Sequence, residues 1–308
     1  MKKKIIAGAV IGVAILSMLF AAWHESGNKV TRGLTAPGGK VAVVYIEGVM
    51  SGSQSDSLWG GNGASSGSVS ANLRKAANNA EIKAVVLRLN SPGGTPVAAQ
   101  EISNEIARLQ ESGKFVVSSM GDTAASAAYW VAACTDEIVA NPGTLTGSIG
   151  VIMETTNLRG LFDSFGVEQE TIKSGPFKDI GSYSRPVTKE ERAILQSMVD
   201  DIYDQFVEAV AQGRDMETDQ VRLLADGRVF TGRQAMELGL VDQMGDMRDA
   251  IALAGELAGI KGEPVVVHIG GGGNIWQSLV NGSLESLALD VKKALLDNFM
   301  SEDMINIR

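Results

Sequence analysis

Two histidines and one cysteine are scarce equipment for a chain of 308 residues. His24 closes a hydrophobic segment near the N-terminus and His268 lies beyond the apparent core, so no imidazole is placed to serve a nucleophile in mid-chain. Cys134 has no second thiol to pair with, which excludes an intrachain disulfide and a cysteine-rich metal site. Its expected place is the interior, as a small apolar residue. Basic residues are outnumbered, 27 Lys and Arg against 36 Asp and Glu, for a net charge of −9. That balance argues against a nucleic-acid partner, which demands a basic face. Aromatics reach only 5%, yet hydrophobic residues total 44% and charged ones 20%, a composition with ample material for a core. The length allows one large domain or two ordinary ones.

Long uncharged apolar runs are absent but for Ile5 to Trp23. As a helix it extends roughly 28 Å, close to the hydrocarbon thickness of a bilayer. Lys2, Lys3 and Lys4 precede it and should stay cytoplasmic, sending the remainder across the membrane. A cleaved signal peptide is the competing reading. Against it, Phe20-Ala21-Ala22-Trp23-His24 offers no clean small-x-small site. Residues 1–24 are therefore read as a basic tail and anchor, and 25–40, rich in glycine and polar residues, as a linker. Both readings place the working domain outside the cytoplasm, on the inner (cytoplasmic) membrane if the anchor is kept.

Beyond the linker, strand and helix signals alternate in an α/β pattern. Val41–Ile46, Ala84–Leu89, Phe115–Ser119 and Glu137–Ala140 read as buried strands. Ala71–Ala80 reads as a helix, and Ile102, Ile106 and Leu109 share one face of another. Ser51–Ser70, crowded with glycine and serine, reads as a long loop. Thr188-Lys189-Glu190-Glu191 has capping-box spacing and opens a helix to about Gln212. Gly270–Gly273 breaks the chain before an amphipathic stretch from about Ile275 to Met300, suited to packing on a neighbour, on lipid or on the core. The expected organisation is a main α/β domain over 41–245 and a C-terminal extension over 246–308. No internal repeat is visible.

Chemistry concentrates at Ser126, set among Gly121-Asp122-Thr123-Ala124-Ala125 and Ala127-Ala128. Small residues at a strand-to-helix junction also permit close helix packing, so the segment alone does not assign catalysis. The upstream turn Ser91-Pro92-Gly93-Gly94 adds to it. Backbone amides freed by Gly93 and Gly94, with the amide of Ser126, can form an oxyanion hole. Without histidine, a neutral lysine is the alternative base. A lysine acting near neutrality must fall roughly 2–3 units from a reference of about 10.4, or about 3–4 kcal/mol, which desolvation can supply. Lys173 and Lys178 are the candidates between Ser126 and the capped helix. Lys178 has apolar neighbours that could exclude water, but spacing alone reads it as an ordinary surface lysine, and a carboxylate at Asp179 would keep an ammonium charged unless it points elsewhere.

Five segments together resemble the signal peptide peptidase A family, membrane-anchored serine peptidases of family S49. They are Asn90–Gly94, Ala124–Ser126, Thr144–Gly150, Lys173–Asp179 and Asp226–Gly232, in the expected order across roughly 41–245. The resemblance implies a crotonase-like, Clp-protease-like fold, with Ser126 as nucleophile, Lys178 as general base and Ser148 hydrogen-bonded to that lysine. It puts the oxyanion amides at Ser126 and the glycine pair, Gly94 before Gly93. It further implies an octameric ring with sites shared between adjacent protomers, remnant signal peptides as substrates, and no metal or other cofactor. Ala127-Ala128 departs from the Gly-Gly often found after the nucleophile, and Asp122 adds a charge nearby. The rivals are a non-catalytic membrane scaffold and a crotonase-like acyl-CoA hydratase or isomerase.

Overall fold

A computed structural model of the protein describes residues 39–52 and 63–270. The apolar run at 5–23 and the stretch 275–300 lie outside them. Among the described residues no helix is long and apolar enough to cross a membrane.

Strand β1 (Lys40–Glu47) opens the domain. Helix α1 (Ser66–Ala77), β2 (Ile82–Ser91), α2 (Pro96–Glu111) and β3 (Phe115–Ala125) follow. Both β1 and β2 read as near-continuous apolar runs because the parallel sheet buries them on both faces. Ala42, Val44 and Ile46 point into a core with α1 and α2, whose Leu73, Ile102, Ile106 and Leu109 are buried there. Val41 and Val43 point the other way.

Expected and observed limits differ at two early elements. Helix α1 starts five residues before Ala71 and ends at Ala77, so the expected 51–70 loop is shorter. Ser51 pairs with Ser65 in an isolated bridge, which ties its two described ends together. Strand β3 runs six residues beyond Ser119 because it changes partner. Its first half pairs with β4 (Glu137–Ala140) and its last three residues pair with β5 (Leu145–Gly147).

Helix α3 (Ala127–Ala133) starts directly after β3, and all seven of its residues are buried. Tyr129 in this helix donates its hydroxyl to the Leu240 carbonyl at 2.9 Å, and burial drives the phenol pKa upward. Cys134, at the end of the helix, is partly buried against the core, and burial raises its thiol. After β5 the chain makes a long excursion that includes α4 (Arg159–Phe165). It rejoins the domain at α5 (Lys189–Gly213), which carries the expected capping box. Helix α6 (Thr218–Leu224), β6 (Val229–Thr231), α7 (Gly232–Glu237) and β7 (Gln243–Met244) complete this half.

The expected domain limit at 245 is corrected by the sheet itself. Helix α8 (Met247–Leu257) packs Ala250 and Ala254 against Val41, Val43, Ala84 and Val86. Strand β8 (Val265–Ile269) then pairs with β1 in parallel, at the end of the order β6-β5-β3-β2-β1-β8. His268 accordingly sits within the sheet, its Nδ1 3.0 Å from the Tyr45 hydroxyl. The compact unit therefore continues through the start of the supposed extension.

Candidate active site

The site forms where β1, β2 and β3 end. Beyond β2 the chain turns through Ser91-Pro92-Gly93-Gly94, and the buried Ser91 Oγ accepts the Gly93 N–H at 3.1 Å. The turn grips the end of β1: Met50 N–H donates to the Gly93 carbonyl at 2.8 Å, and Thr95 N–H donates to the Met50 carbonyl at 3.0 Å. A Cβ on Gly94 would stand 1.9 Å from the Met50 carbonyl oxygen, so no other residue fits. Gly93 adopts φ +113°, and a Cβ there would lie 2.8 Å from Ser126 Cβ. The two glycines thus let one backbone segment press against both Met50 and Ser126. Pro96 at the start of α2 and Thr95 Oγ1, which accepts the Ala98 N–H, fix the outgoing chain.

Ser126 sits between β3 and α3 with φ 53° and ψ −126°. A non-glycine residue there carries strain of order 1–3 kcal/mol. The surroundings hold it in place. Its N–H donates to the Gly147 carbonyl at 2.9 Å, and its carbonyl accepts the Trp130 N–H at 3.0 Å. Ser126→Gly should relieve the strain, raising stability by about 1 kcal/mol and the melting temperature by a few degrees. Thermal melting checks this; an unchanged or lower melting point would show that the elbow costs nothing.

The commitment of the Ser126 N–H to Gly147 corrects its assignment as an oxyanion donor, since an amide aimed along the sheet is not aimed at a substrate carbonyl. Gly93 N–H is likewise engaged, by Ser91 Oγ. Gly94 N–H donates to no group among the described residues. Ala127 begins α3, so its N–H has no intrahelical partner. Gly94, Ser126 and Ala127 line one cleft of roughly 120 Å³, with Pro96, Trp130, Val151, Ile152 and Phe206 as its apolar walls. Trp130 and Phe206 stack with centroids 4.9 Å apart, closing the cleft from below. The Ala127 amide and this aromatic floor were not legible in the residue pattern. A backbone N–H has no side-chain signature, and Phe206 arrives from a helix eighty residues away.

Ser148 is brought alongside by register. Ala125 pairs with Gly147, so Ser126 and Ser148 leave adjacent strands at matching positions. Ser148 also has positive φ, 51°, and its N–H donates to the Arg228 carbonyl at 2.8 Å. Lys178 is not brought to Ser126 within the chain. It is exposed on the turns between α4 and α5, does not line the cleft, and makes no side-chain hydrogen bond or ion pair among the described residues.

Asp179 points elsewhere, which removes the objection raised by its proximity to Lys178. Lys173 Nζ bonds its Oδ1 at 2.6 Å and Arg185 Nε its Oδ2 at 2.9 Å. The Arg185 and Lys173 hydrogen bonds hold the Asp179 carboxyl well below the usual carboxylate range. Arg185 also makes a two-pronged contact with Glu191, at 2.8 and 2.5 Å, and Glu191 accepts the Thr188 N–H at 2.9 Å. Arg185 first, and Thr188 second, lower the Glu191 carboxyl to about 2. The capping box that the sequence announced is therefore also the anchor of the excursion.

Comparison with known proteins places these features in a family. The model of peptidase family S49 matches residues 108–261. The Synechocystis sp. protein slr0021, a protease by name, is 45% identical over 206 residues, covering 65% of this chain and 74% of that one. An Enterococcus faecium protein named signal peptide peptidase SppA is 42% identical over 179 residues, 58% of this chain and 52% of its own length. The chain thus spans about half of that second relative. Among solved structures, a mutant of the 1510-N membrane-bound stomatin-specific protease aligns with TM-score 0.50 at 15% identity, covering 77% of this chain and all of the other. At that identity the likeness speaks for the fold alone.

Proposed function

Because the chain belongs to peptidase family S49 and is a protease, we propose that it is a serine endopeptidase whose Ser126–Lys178 dyad forms between neighbouring copies. The observation that carries this reading is the strained Ser126, set in an apolar cleft beside the uncommitted Gly94 amide. Lys178 Nζ, uncharged, takes the proton of Ser126 Oγ while the oxygen attacks a peptide carbonyl carbon. The amides of Gly94 and Ala127 receive the oxyanion. The lysine ammonium returns the proton to the leaving amine, and water then hydrolyses the acyl-enzyme. Ser148, just beyond the end of β5 and level with Ser126, is the group that orients the lysine.

Delivery of the lysine by a second copy is supported by the surface that carries it. Ile152, Phe165 and Ile172 are 85, 76 and 94% exposed on the excursion. Apolar groups that open to water mark an interaction surface. Buried on another copy, the same surface would strip water from Lys178, and desolvation favours the uncharged amine. The arrangement is a closed ring, in our reading an octamer. The 5–23 run would anchor it in the inner membrane with the catalytic domain outside the cytoplasm. Substrates are apolar peptides, remnant signal peptides foremost, which suit a cleft walled by Pro96, Trp130, Ile152 and Phe206.

A serine-directed phosphonate should label the purified protein at one residue, and peptide mapping by mass spectrometry should place the adduct on Ser126. Labelling of Ser148 alone, or none in an enzyme that cleaves peptides, would reject the nucleophile.

A further inference from the structure

We propose that Asp179 is a positioning residue for Lys178, with Lys173 and Arg185 serving to keep its carboxylate off the lysine. The inference rests on the reading of Lys178 as the general base. A carboxylate one residue from that base poses a problem, because an opposite charge within about 4–6 Å favours the ammonium, which cannot accept a proton. The structure answers it by occupying both carboxylate oxygens. Oδ1 takes Lys173 Nζ at 2.6 Å and an Arg185 nitrogen at 2.9 Å, and Oδ2 takes Arg185 Nε at 2.9 Å. Among the described residues Lys178 makes no ion pair, whereas Asp179 faces two cations from its own excursion and, through Arg185, Glu191 from α5.

The same contacts hold the backbone that presents the lysine. Lys173 Nζ also donates to the Pro176 carbonyl at 3.0 Å, closing the turn before Lys178. Arg185 reaches the Pro186 carbonyl at 3.2 Å and the Glu191 carboxylate, fastening the excursion to the first turn of α5. Around the base, the charges of Lys173, Asp179, Arg185 and Glu191 sum to zero. Removing a cation leaves a carboxylate free to turn to Lys178. Removing the Asp179 charge leaves surplus cations that repel the ammonium. The two changes move the protonation of the base in opposite senses.

The test is the pH profile of kcat/KM for the full-length enzyme on a fluorogenic peptide with an apolar residue before the scissile bond. Arg185→Gln and Lys173→Gln should each shift the acid limb upward, by about one pH unit for a released carboxylate. Asp179→Asn should shift it downward, and the double variant Arg185→Gln/Asp179→Asn should return it close to the wild-type position. Arg185→Lys, which keeps the charge, should leave the limb in place. A purely structural role would lower the rate without moving the limb, and double substitution would deepen that loss. Lys173→Gln removes the less buried partner and guards against misfolding of the Arg185 variants. If variants with wild-type melting curves keep the wild-type limb, the positioning role is wrong. If Lys178→Ala retains the full rate, the fault lies instead with the base assignment.

Discussion

Ser126→Ala and Lys178→Ala each abolish peptide cleavage, lowering kcat by more than about 10³-fold, because nucleophile and base act as one unit. Mixing the two inactive proteins, after dissociation and reassembly, restores part of the activity. With sites that take serine from one copy and lysine from the next, a site needs two independent intact contributions. An equal mixture therefore regains about a quarter of the wild-type rate. The expectation follows from what one chain presents: Ser126 in its cleft, and Lys178 exposed, outside the residues that line that cleft. Kinetics on the mixed protein, with size-exclusion chromatography to confirm assembly, decide it. No recovery in a reassembled oligomer would place both residues of the dyad in one chain, and full activity in either single variant would remove that residue from the mechanism.

Gly94→Ala has the second largest effect. Its methyl group would enter the Met50 carbonyl, at 1.9 Å, and that oxygen already accepts the Thr95 N–H. One backbone must yield, and either movement carries the Gly94 amide away from Ser126. Loss of one oxyanion donor costs about 10²–10³ in kcat. Overpacking adds about 1–3 kcal/mol of destabilisation. Gly143→Ala, in the turn between β4 and β5, is the control, with nothing within 4 Å of the new methyl, and should change neither rate nor melting point appreciably. A Gly94→Ala enzyme with wild-type kcat would mean that the oxyanion is held elsewhere.

Much of this architecture was legible locally. The first strand, the short strand at Glu137–Ala140 and the capped start of α5 fall where apolar runs and Thr188–Glu191 place them. These signals need only neighbouring residues. Strand β3 was misread because Met120-Gly121-Asp122-Thr123 does not look like a strand. It becomes one by pairing with β5, which lies some twenty residues on. The limit at 245 failed for the same reason, since β8 is completed by β1 from the far end of the chain.

The site divides along that line. Ser126, Gly93 and Gly94 could be singled out from residue type, because a close backbone approach needs glycine, whereas residue type left Lys173 and Lys178 both open and only the family resemblance chose Lys178. Which amides remain free could not. The Ser126 N–H is taken by the Gly147 carbonyl, leaving Gly94 and Ala127, and only the assembled sheet determines that commitment. The direction of Asp179 is likewise a tertiary fact, decided by Arg185 and Lys173. Side-chain chemistry and short-range periodicity are properties of the chain itself. Hydrogen-bond partners are allotted by contacts between distant segments, and those exist only after folding.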